Sequence, residues 1–427
     1  MKPKRGRWWK AAVFVLGILC LPPALQWQLS QLELRRVLAD YKSRGESLDW
    51  RDVVKPVPEG ASNGRKDYRA AIAGLPKIPN RWLEWHHAVA GAAVPLSQVT
   101  VPVQISEYPA GFPSKITLVP KSVKVITNIW PQLDSRIFDG KTNWMYAERA
   151  STNDIIDMEI DWTLGAGIQS TDYIGARDLI AWTRAAVIHD LRKGERESAR
   201  RRLTVGWRLL GMHDEPALIA ALVRIAGGSI LTLASWELLV HDGWSDDQLA
   251  TLQQTIDRVR FVDSMERAIR QERCAGIQRW HQWREDPGLM ARNFPPELME
   301  MYTEDARLTG MEEAMLKRPW IWRSFVSKAD AAWMLENYHL ALNELRAGCG
   351  ARSQLAYSTA WPEDRKVVDN YLFSRVSRVA FKRCGEKVFR AETQRELLVT
   401  AIAIKRYRLE HGSTPAAIPD LVPKFLP

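Results

Sequence analysis

The chain has 427 residues, 46% of them apolar and 26% charged, the composition of a globular protein with ample material for a core in two domains or one elongated one. Its net charge is +10, but five of the positive charges, Lys2, Lys4, Arg5, Arg7 and Lys10, precede the first apolar run and leave 55 Lys and Arg against 50 Asp and Glu in the rest. That near balance speaks against nucleic acid as a partner, which needs basic residues massed on one face.

Behind the basic head (1–10), no charged residue occurs from Ala11 to Leu32, AAVFVLGILCLPPALQWQLSQL. As a helix this run reaches about 33 Å, against about 30 Å for a hydrocarbon core. Its most apolar part, Ala11 to Leu25, is also short enough for a signal peptide, but Pro22, Ala24 and Leu25 make a poor small-residue cleavage site. An uncleaved anchor is the expectation, with Trp8, Trp9 and Trp27 as interfacial flanks, the basic head in the cytoplasm and the body outside the inner membrane. Bulky Leu19 ahead of Cys20 argues against a lipidated cysteine.

From Leu29 to Gly45 the chain reads as a charged helix leaving the membrane, and DVVKPVPEGASNG is a Pro/Gly linker between modules. In the next region VTVPVQISEY, SKITLVPKSVKVIT and IIDMEIDWTL place β-branched residues in near-alternation, which predicts strands. After residue 172 the period becomes helical in RDLIAWTRAAVIHDLRKG, ERESARRRLTVGWRLLGMH and EPALIAALVRIAGGSILTLASWELLVHDG, each resembling half of an α-hairpin. Ser245 with Gln248 and Thr393 with Glu396 predict two capping boxes, and Gly412 a left-handed C-cap. The expected fold is mainly α: an N-terminal transmembrane helix (11–32), a juxtamembrane helix and linker (33–65), a small irregular β-containing segment within a mixed α/β region (66–172), an array of packed α-hairpins (173–412) and a C-terminal clamp (413–427).

Leu397, Leu398, Ala401, Ile402 and Ile404 form an apolar stripe, and Lys405, Arg406 and Arg408 suit the negative end of a helix dipole. Beyond Gly412, Ile418, Leu421, Val422, Phe425 and Leu426 carry enough apolar surface to fold back on that helix.

The order of basic head, anchor, Pro-rich linker, IDWTLGAG, GERESA at Gly194 to Ala199, SDDQLATLQ, MERAIRQER and AIAIKRYRLEHGSTPAAIPDLVPKFL resembles a group of uncharacterised single-pass envelope proteins of planctomycete and verrucomicrobial bacteria. The last of these stretches also resembles the C-terminal part of type II secretion pseudopilins, although no prepilin cleavage site precedes the hydrophobic run. The resemblance implies an envelope location, with envelope or secretion proteins as partners, and brings no known activity with it. Relatives continue past the final stretch, so Phe425 and Leu426 are expected to be partly exposed and open to a partner.

The sequence marks no residue as catalytic, as a metal ligand or as holding a cofactor. GAGIQS at Gly165 to Ser170 lacks the third glycine and the second strand of a dinucleotide site. His86 and His87 are adjacent, so a helix would splay them. GGSIL at Gly227 lies in an apolar helix and lacks the closing glycine of a nucleophile elbow, which favours close helix packing. Cys274, Cys349 and Cys384 are too scattered for a disulfide framework or a zinc site. In DSMERAIRQER, Asp263 with Arg267 and Glu266 with Arg270 have i,i+4 spacing, while Glu266 and Glu272 point about 120° apart and make a poor acid/base pair. RKGERESARRR reads as a solvated face or as a contact for acidic groups.

Tryptophan is unusually abundant, 19 against 10 Tyr and 10 Phe. Trp82 with Trp85, and Trp280 with Trp283, lie at i,i+3, suited to packing between helices and also to stacking on sugars or anchoring a peptide. Trp280, Trp283, Phe425 and Leu426 are therefore the candidate partner-binding residues. The functional expectation is an interaction or scaffolding module of the cell envelope; a glycan-contacting protein and an enzyme with an unrecognised site are the alternatives. Exposed Trp converging in a groove would favour the first alternative, and buried carboxylates facing a cleft the second.

Overall fold

The computed structural model describes residues 25, 27–78, 130–167, 172–286, 288–289, 317–351 and 372–426. The protein is mainly helical, and no strand occurs among those residues. The stretches VTVPVQISEY and SKITLVPKSVKVIT, Trp82, Trp85, His86, His87 and the run from Ala11 to Ala24 lie outside them.

Helix α1 (27–43) buries Ser30, Leu34, Val37 and Tyr41, one face at helical spacing. It ends in a Schellman turn. Gly45 takes φ +67°, its N–H reaches Lys42 O, and the next N–H, of Glu46, bonds Tyr41 O at 3.0 Å. Three short helices follow, α2 (Arg65–Ile72), α3 (Trp130–Asp139) and α4 (Lys141–Ser151). They share a core with α5 (Asp172–Arg192) in which the Trp144 and Trp182 rings stack at 5.7 Å.

IIDMEIDWTL, predicted as a strand, is not one. A single parallel bridge joins Ile155 to Asn63, and a 3-10 turn takes over at Trp162–Gly167. Ile156, Met158 and Trp162 are buried, so the alternation reports one-sided burial of an extended chain. In place of a ladder partner, the Asn63 side chain bonds the Asp157 N–H and carbonyl at 3.1 and 3.2 Å.

The larger core is built by α5 with α6 (Arg196–Met212), α7 (Leu218–Val240), α8 (Asp246–Asp257), α9 (Phe261–Glu285), α10 (Ser327–Ala351) and α11 (Leu372–His411). Helix α5 faces both cores, turning Leu179, Trp182 and Ala186 to the first and Ile180, Val187 and Leu191 to the second. Helix α7 is, among the described residues, the one helix long and apolar enough to cross a membrane. Here α5, α6, α9 and α11 pack around it. The contact with α9 is close because a Cβ on Gly228 would lie 2.2 Å from the Phe261 ring, so small residues make the packing.

The Ser245–Gln248 capping box is present at the start of α8, whereas Thr393 lies inside the unbroken α11 and caps nothing. Long-range side chains serve other helix ends. Glu392 of α11 accepts the Phe261 and Val262 N–H groups at 2.8 and 3.3 Å and so caps α9, held in place by buried Arg395, which also reaches Asp257 at 2.8 Å. Lys405 Nζ caps α7, donating to Leu239 O and His241 O at 2.6 Å.

At the α5–α6 junction Asp190, 1% exposed, accepts from Ser198 Oγ at 2.6 Å and Arg202 Nε at 2.7 Å and faces His189 Nδ1 at 3.1 Å. RKGERESARRR is thus a paired junction: Arg201 meets Glu148, and Arg202 lies near the Trp144 and Trp182 rings. Burial pushes the Asp190 carboxyl up, but His189, Ser198 and Arg202 outweigh it and hold the group below its ordinary 3.8. A carboxyl with a depressed folded value contributes stability above its unfolded pKa of about 3.9 and loses it as the pH falls through the folded value. Asp190→Asn is expected to lower stability at pH 7 by about 1 to 2 kcal/mol. Its melting temperature should fall less steeply than that of the parent once the pH drops below about 4; parallel slopes in a pH-resolved calorimetric series would show that the junction does not titrate with folding.

Candidate functional site

The loop joining α6 to α7 carries three titratable residues in a row, His213, Asp214 and Glu215. Asp214 is the hub of a cleft of about 370 Å³. Its carboxylate binds Arg224 of α7 through one oxygen and Arg267 of α9 through the other. Arg224 is 4% exposed, and α7 contains only one other charged residue, Glu237. Burial draws the Arg224 guanidinium below its ordinary value; Asp214, which binds it, and more weakly Glu215 oppose that pull, so Asp214 is the main counter-ion of a buried cation.

Around that pair the lining is strongly basic. Lys55 comes from the loop after the 3-10 turn Trp50–Asp52, Arg258 and Arg260 from the α8–α9 junction, and Arg270 from α9. Of the other two carboxylates in the lining, Asp263 is exposed and Glu266 is taken by Arg346 at 2.7 and 3.1 Å. Six cations therefore face three carboxylates, two of them already engaged. The buried Nε atoms of Arg224, Arg267 and Arg270 find no protein acceptor. Buried donors without acceptors are costly, and guanidinium forks match the planar oxygen pairs of carboxylates and phosphates.

Behind the cleft His213 Nδ1 lies 3.1 Å from Glu215 Oε2, with both side chains buried. The His213 ring sits 5.5 Å from the Tyr68 ring and 5.7 Å from that of Tyr173. Burial raises the Glu215 carboxyl above the usual range, with His213 opposing. Arg224 lines both the cleft and a small void of about 10 Å³ beside His213, connecting the two groups.

The predicted partner-binding residues lie elsewhere. Trp280 and Trp283 are 6% and 1% exposed. Trp280 Nε1 donates to Ser327 O at 2.7 Å and the Trp283 ring meets Trp322 edge-on at 6.4 Å, so both serve the packing of α9 on α10 and offer no surface. Phe425 is 4% exposed, against the expectation of partial exposure, because it docks under Tyr407 of α11; Leu426 is half-buried beside it. Neither i,i+4 pair in DSMERAIRQER forms: Arg267 turns to Asp214 and Glu266 to Arg346, each a tertiary partner. Glu272 is desolvated and its carboxyl raised, while Glu266 is engaged on the rim, so the two share no site. Gly165 to Gly167 end a 3-10 turn, and α5 follows where a dinucleotide site needs a second strand.

Sequence reasoning missed the cleft because its residues come from four separate segments. One signal pointed to it: Arg224 stands in the middle of an apolar run, LIAALVRIAGG, where a lone cation needs a partner. Among the described residues no group of three or more His, Cys, Asp or Glu is placed to hold a metal ion. Comparison with protein-family models, with curated proteins and with solved structures found no match in any of the three.

Proposed function

We propose that the protein is a membrane-anchored, extracytoplasmic binding module of the cell envelope whose arginine-lined cleft captures an acidic segment of a partner protein. The single observation that carries the binding role is the cleft, where cations outnumber carboxylates two to one and three buried guanidinium N–H groups lack a protein acceptor. The anchor rests on the uncharged run behind the basic head. In this reading the run feeds α1, whose buried face holds the body close to the membrane. Ser30 and Gln31 belong to that docked helix, so the hydrocarbon part ends by Leu29, and 19 residues from Ala11 cover about 28 Å. The helical body reads as α-hairpins leaning on α11, a scaffold that keeps the cleft rigid.

The test is a crosslinked pull-down from membranes with the parent and with Arg258→Gln/Arg270→Gln, two side chains that form no ion pair among the described residues. The reading expects captured proteins to be lost in the variant and on raising the salt, because exposed charge attraction is screened within about 10 Å at 0.1 M. Identical capture by both proteins would remove the cleft from the binding role.

A second reading, an enzyme with its site behind the cleft, draws on the buried His213–Glu215 pair, since desolvated acid and base groups are common at catalytic sites. It requires that His213→Gln change a turnover without changing partner capture.

A further inference from the structure

A second basic depression, of about 300 Å³, lies at the foot of α1. Its walls are Trp27, Ser30 and Gln31 of α1, Arg284 in the last turn of α9, and residues 323–325 with Ser327 and Lys328 at the entry to α10. Three of these side chains, Arg284, Arg323 and Lys328, are cationic and no lining residue is acidic. Lys328 Nζ donates to the Gln31 amide oxygen, and the Arg284 guanidinium lies 4.9 Å from the Trp280 ring with its buried Nε lacking a protein acceptor. Burial first, then the nearby charges of Arg284 and Arg35, pull the Lys328 ammonium below its ordinary value. Like charges gathered without a carboxylate are unfavourable unless an anion joins them.

Exposed apolar residues stand close in sequence to those that line this depression. Leu25, Trp27, Leu29 and Leu32 of the α1 end are exposed, and so is Trp320 in the turn before α10. An exposed Trp in a cation-lined hollow, with further exposed Trp and Leu a few residues away along the chain, is the composition of a membrane–water interface, where aromatic rings sit at headgroup level and Lys or Arg meets phosphate. The chain supplies the same geometry from the other side, because the uncharged run that starts at Ala11 continues straight into the residues lining the depression. Tyr41 Oη on Leu335 O at 2.6 Å and Arg36 on Glu336 at 3.0 Å fix α1 to α10, so the pocket walls contributed by these two helices are held together.

We infer that this pocket binds the phosphate of an anionic phospholipid headgroup in the leaflet from which the body emerges. The inference rests on the anchor reading above and deepens it. The bound headgroup sets the orientation of the body: the pocket takes Arg284 from the last turn of α9, whereas Arg267 and Arg270 of the arginine-lined cleft lie toward the opposite end of that helix, so the cleft is held away from the bilayer.

The experiment uses the full chain, purified in mild detergent, equilibrated with mixed phosphatidylglycerol and phosphatidylcholine, and examined by native mass spectrometry for retained lipid. The parent is expected to retain phosphatidylglycerol over phosphatidylcholine by about tenfold, and R284Q/R323Q/K328Q to lose that preference. Because Arg323 is exposed, R323E alone provides a variant that keeps the fold and should weaken the preference in the same direction. Equal retention by parent and variants, or displacement of the lipid by inorganic phosphate alone, overturns the lipid site. Alkaline extraction of the vesicle-reconstituted chain reports the anchor separately. A chain that resists extraction but shows no lipid preference loses the pocket and keeps the anchor; a chain that is stripped off loses the anchor, and the lipid ligand with it.

Discussion

Asp214→Ala is expected to lower the stability of the protein by about 3 to 5 kcal/mol, because it strands the Arg224 guanidinium, 4% exposed, without the carboxylate that binds it. Arg267 loses its partner at the same time, but it is more exposed and water compensates. Asp214→Asn should be milder, since an amide oxygen can still accept from one guanidinium. The same substitution adds a net positive charge to the cleft, and one charge at contact distance near a protein surface is worth on the order of 1 kcal/mol or more. The affinity of the Asn variant for a simple anion such as pyrophosphate, measured by calorimetry at low salt, should therefore rise about fivefold while its stability falls. Opposite signs in the two measurements distinguish loss of a clamp in an anion cleft from general damage. Asp214→Ala/Arg224→Met supplies the control: with both charges gone and the stem of the side chain kept, most of the stability should return. A double variant as unstable as the single one would show that Asp214 matters for something other than neutralising Arg224.

Deleting Ser413–Pro427 is the second large effect. Gly412, at φ +74°, reverses the chain after α11, and Leu421 and Phe425 then bury against Ala403 with Tyr407 alongside. Gln253 of α8 donates to Phe425 O at 2.7 Å, and Lys424 reaches Glu410 at 2.6 Å, so the tail closes over both helices. Burying a Leu and a Phe side chain contributes about 3 to 6 kcal/mol, from which the ordering of the tail backbone must be subtracted. A net loss of about 2 kcal/mol is expected, which at this chain length lowers the melting temperature by roughly 2 °C. Arg406 is held by Asp246 at 2.8 and 3.0 Å and by Gln253 at 3.0 Å; without the cover, trypsin should cut there faster. Phe425→Ala should reproduce most of the thermal loss with the backbone intact. An unchanged melt in the deletion would make the tail a loose appendage.

Local chemistry made part of the molecule legible in the sequence. The 3.6-residue period after residue 172, the Ser245 capping box, the reversal at Gly412 and the small-residue contact at Gly227 and Gly228 are encoded by neighbours a few positions apart, and each appears in the structure. The strand reading of IIDMEIDWTL failed for an instructive reason. Alternating burial needs only one apolar face, whereas a strand also needs a partner for its N–H and C=O groups, and here an asparagine side chain takes part of that role. Thr393 failed in the same way: a capping box is a local motif, but the helix through it is continuous because Arg395 and Glu392 tie α11 to α8 and α9.

The sequence by itself determined the helical class, the helical period that begins after residue 172, the folded-back ending and the uncharged run behind a basic head. Tertiary structure alone decided which charges meet. Arg267 had Asp263 four residues away and took Asp214 across a helix interface; Glu266 had Arg270 and took Arg346. An i,i+4 pair on a solvated helix is worth only about 0.3 to 0.5 kcal/mol, so it yields to a partner in a partly buried interface where water screens less. That competition, invisible along the chain, placed the cations of three segments around one cleft and buried the tryptophans that the sequence had offered as a binding surface.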